Sequence, residues 1–139
     1  KGFFEGTIRT FDPQVRLDVI DKFQRVVRTT AEQFGADVTI KWGNSPSVTF
    51  NDKIITPIIF ENSKSFAEVV DTLPSTGGED FAAFQEQIPG VFAFIGSNGD
   101  EGAPDWHHDD FVVKDEALPV AVNYFVESAL KLLEYYGEK

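Results

Sequence analysis

In Gly6-Thr7-Ile8-Arg9-Thr10-Phe11-Asp12-Pro13 an extended segment runs straight into a helix start. Phe3, Phe4, Thr7 and Ile8 are strand formers and predict a strand over residues 3–10. Asp12 is a good N-cap, and Pro13 suits the first helical position, where its missing N–H costs nothing. Val19, Ile20, Phe23, Val26, Val27, Ala31 and Phe34 follow at spacings of three and four, which gives one apolar helical face. Gly35 is the expected stop. Val38, Ile40 and Trp42 then alternate with Asp37, Thr39 and Lys41, a strand pattern. Residues 1–43 therefore read as strand–helix–strand, a unit that needs further strands to complete a sheet.

The rest of the chain extends an α/β pattern. Gly43-Asn44-Ser45-Pro46-Ser47 is a turn cluster and marks a boundary. Ile54 to Phe60 is an apolar run of helical length, interrupted by Pro57. Phe66 to Val70 reads as a short strand. Pro74 to Gly78 is a loop, and Glu79 opens a short helix that runs to Gln87 before Pro89-Gly90 stops it. Val91-Phe92-Ala93-Phe94-Ile95 is continuously apolar, the mark of a strand buried on both faces. A polar, glycine-rich loop from Gly96 to Pro104 leads to the only two histidines. A last helix starts at Asp115 or Glu116, with Leu118, Val122, Phe125, Ala129, Leu132, Leu133 and Tyr136 as its apolar stripe.

Composition narrows the function. A formal charge of −11 over 139 residues disfavours nucleic acid, which needs a basic footprint, and anionic membrane surfaces. No stretch approaches the roughly 18 consecutive apolar residues of a membrane span. Without cysteine the chain has no disulfide and no thiolate ligand or nucleophile, which is compatible with a cytoplasmic protein. There is no methionine, and the opening Lys1-Gly2-Phe3-Phe4 lacks a signal-peptide pattern, so the start is expected to be a cut or processed end.

Three places could carry chemistry. His107 and His108 lie in a loop flanked by acids, and neutral imidazole is the commonest metal ligand. Adjacent side chains diverge, so the pair suits one ligand and one neighbour; the bland alternative is a polar loop that happens to hold histidine. Gly77-Gly78 precede a helix start, where bare backbone can approach a ligand, or simply form a turn. Arg9 closes the first strand and can clamp a carboxylate, or stand as a surface charge.

The order of these motifs, from Gly6-Thr7-Ile8-Arg9-Thr10-Phe11-Asp12 through Gly77-Gly78-Glu79-Asp80-Phe81, Pro89-Gly90 and His107-His108 to Asp115-Glu116-Ala117-Leu118-Pro119, resembles one family. It resembles the C-terminal half of the metal-dependent aminoacylase/carboxypeptidase family, the branch of hippurate hydrolase, N-acyl-amino-acid amidohydrolases and auxin-conjugate hydrolases. The resemblance implies the rear part of a ferredoxin-like lid domain over residues 1–47, then the C-terminal part of a zinc-peptidase-like α/β catalytic domain over residues 48–139. It implies His107 as a metal ligand, His108 as the residue standing beside that ligand, and Arg9, Gly77 and Gly78 as substrate contacts. It also implies one or two divalent ions, zinc or manganese, in a complete enzyme, an N-acyl amino acid or small peptide substrate, and a homodimer through the lid domain.

The family's other metal ligands and its glutamate base lie upstream of these motifs. The expectation for this chain alone is therefore no catalytic residue, no activity and weak metal binding. Gly78 stands where the family usually has alanine, and Asp109 where it usually has proline, which blurs substrate preference. The alternative is a noncatalytic interaction module built on the strand–helix–strand unit.

Overall fold

The computed structural model describes residues 1–43, 47–99 and 101–137. Their helices are α1 (Pro13–Gln33), α2 (Ile55–Ser63), α3 (Ala82–Gln85) and α4 (Ala117–Gly137). The chain divides into two compact units, each assembled from two separate stretches. Unit 1 is Lys1–Phe50 with Leu73–Ile88, and unit 2 is Asn51–Thr72 with Pro89–Lys139. The units thus do not follow a break at 47/48. Part of the turn cluster expected there, residues 44–46, lies outside the described residues.

Unit 1 is organised by α1, whose ends close as expected. The Asp12 carboxylate accepts from the backbone N–H groups of Gln14 at 2.7 Å and Val15 at 2.9 Å. Those donors have no partner inside a helix, so the cap is worth about 1 kcal/mol. At the other end Gly35 takes φ +63°, and the N–H groups of Gly35 and Ala36 return to the carbonyls of Glu32 and Ala31. That is a Schellman closure, and it favours glycine because a Cβ is strained at this φ. Val19, Ile20, Phe23, Val27 and Ala31 are half-buried, whereas Val26 and Phe34 are exposed. Trp42 packs edge-on against Phe23, ring centroids 5.7 Å apart.

The second stretch of unit 1 is held by α3. Ala82 is fully buried. The Phe50 N–H donates to Gln85 Oε1 at 3.0 Å, and the Ser47 hydroxyl donates to Glu86. Helical turns extend past the four residues of α3, from the Glu79 carbonyl to the Ile88 N–H.

Unit 2 rests on α2 against α4. Asp52, not anticipated as a cap, accepts from the N–H groups of Ile54 and Ile55. Pro57 sits in the first turn of α2, where a missing N–H costs nothing, so it does not break the helix. Ile55, Ile59 and Ser63 recur every fourth residue and are buried. Their partner α4 buries Ser128 and half-buries Val120, Ala121, Tyr124, Leu132 and Tyr135. Burial pushes the Tyr124 phenol above its usual pKa.

Two expectations are corrected here. The apolar stripe expected on α4 is largely exposed: Phe125 and Leu133 are each 70% accessible, and of the stripe only Leu132 is half-buried. The helix is apolar on two sides, and the less exposed side is the one with Val120, Ala121, Tyr124, Ser128, Leu132 and Tyr135. The strands expected over 3–10, 38–42, 66–70 and 91–95 are absent among the described residues. A strand exists through its ladder partners, and these segments have none. In place of a neighbouring strand, the Asn51 side chain accepts from the Phe92 N–H at 2.7 Å and donates to the Phe92 carbonyl at 2.9 Å. Nor is the 91–95 segment buried on both faces; Ala93 and Phe94 are exposed. No helix among the described residues is long and apolar enough to cross a membrane.

Candidate functional site

Within unit 1, three stretches distant in sequence converge on one cavity of about 160 Å³. Arg9, Gly77 and Gly78, the three expected substrate contacts, all line it. The extended segment ahead of α1 carries Arg9, and the loop between Pro74 and Gly78 forms another wall. The Gly77 N–H donates to Ser75 Oγ at 3.1 Å, which folds that loop back on itself. A Cβ on Gly77 would stand 3.3 Å from the same hydroxyl, so any larger residue pushes Ser75 aside.

The lining also includes Arg16 and the hydroxyl residues Thr10, Ser47, Thr49, Ser75 and Thr76, but no aspartate or glutamate. In a chain with 23 acidic and 12 basic residues, a wall with two guanidinium side chains and no carboxylate is a local reversal of sign. Such a concavity attracts anions. Arg16 is not among the residues that the sequence motifs single out. It sits in the first turn of α1, seven residues after Arg9, and that position was the available signal.

The histidines belong to unit 2. His107 has φ +67°, the only positive φ outside glycine among the described residues. This left-handed conformation costs a non-glycine residue roughly 1–2 kcal/mol and clusters at functional positions. An aromatic series leads to it. Phe92 and Phe94 meet at 5.4 Å, Phe94 and Trp106 at 5.3 Å, and Trp106 and the His107 ring at 6.0 Å.

The surrounding loop is pinned by Asn98 Nδ2 on the Pro104 carbonyl at 2.9 Å, and by the Lys114 N–H on the Ser97 carbonyl at 2.7 Å. Asp100 falls outside the described residues. His108 is exposed, with Nδ1 4.0 Å from Asp110 Oδ1. Among the described residues no three His, Cys, Asp or Glu side chains gather to hold a metal ion. Catalytic zinc sites use three protein ligands, so these residues alone do not fit the metal centre that the resemblance implies.

Comparison with known proteins gives the family. Residues 4–131 match Peptidase family M20/M25/M40, and the chain belongs to that family of metal-dependent hydrolases, which implies an α/β peptidase-like fold. It is 40% identical over 131 residues to the N-acetyl-L-cysteine deacetylase of Bacillus subtilis, covering 94% of this chain and 31% of that protein. It is 39% identical to the N-acetylcysteine deacetylase of the same organism, covering 94% and 34%. Thermostable carboxypeptidase 2 of Saccharolobus solfataricus is 29% identical over 117 residues, covering 82% and 30%. The chain thus spans about a third of the length of the curated relatives it matches. No solved structure matches.

Proposed function

We propose that this chain is the C-terminal portion of a metal-dependent amidohydrolase that cleaves the amide bond of N-acyl amino acids or small peptide-like conjugates. The observation that carries the reading is the convergence of Arg9, Gly77 and Gly78 on one acid-free cavity. The similarity to two deacetylases of N-acetylated cysteine and to a carboxypeptidase supports it. In the complete enzyme residues 1–47 would belong to the lid and residues 48–139 to the catalytic domain, with Leu73–Ile88 of the latter packing beside the former in unit 1.

Arg9 holds the substrate's carboxylate by a charge-assisted, two-pronged contact. Gly77 and Gly78 let the backbone come close to the substrate. His107 supplies one ligand to the zinc or manganese of the complete enzyme, and His108 stands beside it. The other ligands would come from the upstream part of the complete enzyme, without which the chain is expected to be inactive.

The experiment is an assay of N-acetylcysteine hydrolysis with manganese or zinc, for the chain alone and after it is joined to the upstream part of a family member. The chain alone is expected to be inactive and the joined protein active, with activity abolished by His107→Ala and reduced less by His108→Ala. Equal losses in the two variants would overturn the assignment of roles. A second reading, a noncatalytic interaction module, draws on the exposed Val15, Leu17 and Val26 of α1. It predicts no gain of hydrolysis on joining.

A further inference from the structure

We infer that Arg16 is a second guanidinium for the ligand's carboxylate, acting beside Arg9 in the unit 1 cavity. The inference rests on the proposed role of that cavity and extends it to a residue that none of the motifs assigns.

Arg16 and Arg9 both line the cavity, and no lining residue carries a negative charge. Arg9 is exposed, whereas Arg16 is half-buried. A less hydrated cation interacts more strongly with an incoming anion. Arg16 is also placed by rigid structure. It stands in the first turn of α1, with its N–H on the Asp12 carbonyl at 3.0 Å.

The helix terminus itself does not read the anion. The N–H groups of Gln14 and Val15, which would serve that purpose, are already taken by the Asp12 carboxylate. What remains to attract an anion is the pair of side-chain guanidiniums, with hydroxyls from Thr10, Thr49 and Thr76 alongside. A guanidinium has five donors in a planar fork, so two of them can grip both oxygens of one carboxylate while keeping other partners. The ligand class is a small molecule ending in a carboxylate, as N-acyl amino acids do, and the cavity discriminates against the neutral amide.

The test is a titration of the isotopically labelled 139-residue chain with N-acetylglycine and, separately, with its neutral amide N-acetylglycinamide. The readouts are the backbone amide signals of Thr76, Gly77 and Gly78 and the arginine Nε–H signals. The acid is expected to shift these signals saturably and the amide to leave them in place. R16Q should weaken acid binding about tenfold, the loss of one charged hydrogen-bonding partner. R16K keeps the charge but not the fork, and should weaken it about threefold.

If R9Q weakens binding while R16Q titrates like the parent, the inference fails and the cavity reading stands. If acid and amide behave alike, or neither binds, the cavity reading fails and the inference with it. Should R16Q lose its dispersed spectrum, R16K decides: parent-like affinity overturns the role of Arg16.

Discussion

α1 and α4 each run for 21 residues, yet they are stabilised in different ways. α1 is closed at both ends by its immediate neighbours in the chain, Asp12 before it and Gly35-Ala36 after it, and buries no residue completely. α4 packs against α2, has one buried residue, Ser128, and leaves Phe125 and Leu133 on the surface. Helix ends are thus set by local chemistry, whereas the choice of a helix's inner face belongs to whatever packs on it. An amphipathic stripe predicts burial only when one side is apolar. α4 has two such sides.

The largest effect that would break this contrast is expected at the α2–α4 contact. Ile59 is 5% exposed, and Ile59→Ala should cost about 2–4 kcal/mol in urea unfolding. The loss should appear in unit 2 signals while α1 amides keep their protection. A matched loss of α1 protection would show that the two helices do not differ as described. Asp12→Ala comes next, at about 1 kcal/mol, with its effect confined to the first turn of α1 in hydrogen exchange. Asp12→Asn should be nearly silent. Smallest is Leu133→Lys, which should change the stability of this chain by less than about 0.5 kcal/mol, because the side chain is exposed. A loss of several kcal/mol would mean that the stripe is covered after all.

Legibility in the sequence follows the same division. Asp12, Pro13 and Gly35 announce α1 because each acts on atoms within a few residues of itself. Pro57 argues against a helix over 54–60, but it falls in the first turn of α2, Ile55–Ser63, where its missing N–H costs no hydrogen bond inside the helix. Residues 91–95 have strand composition without a strand beside them, and composition does not reveal a missing partner. The side-chain amide of Asn51 takes that place, through a contact across 41 residues that no periodicity encodes.

At the candidate site, Arg9, Gly77 and Gly78 were singled out in the sequence and stand together in the cavity. A common role as substrate contacts is what the family resemblance implies for them; spacing alone does not. Arg16 carries no such motif, because one arginine on a polar helix face looks like any other. The family was legible from motif order, and the match over residues 4–131 bears it out.

The interleaving of the two units bears on how the chain is made. Unit 1 draws on Lys1–Phe50 and Leu73–Ile88, so α1 can form early, but the cavity wall at Gly77-Gly78 has to wait for the chain to pass α2. At nine residues α2 is too short to persist by itself in water. It leaves the ribosome well before α4, the helix it packs against. During synthesis Ile55 and Ile59 therefore stay open to solvent until the last helix emerges.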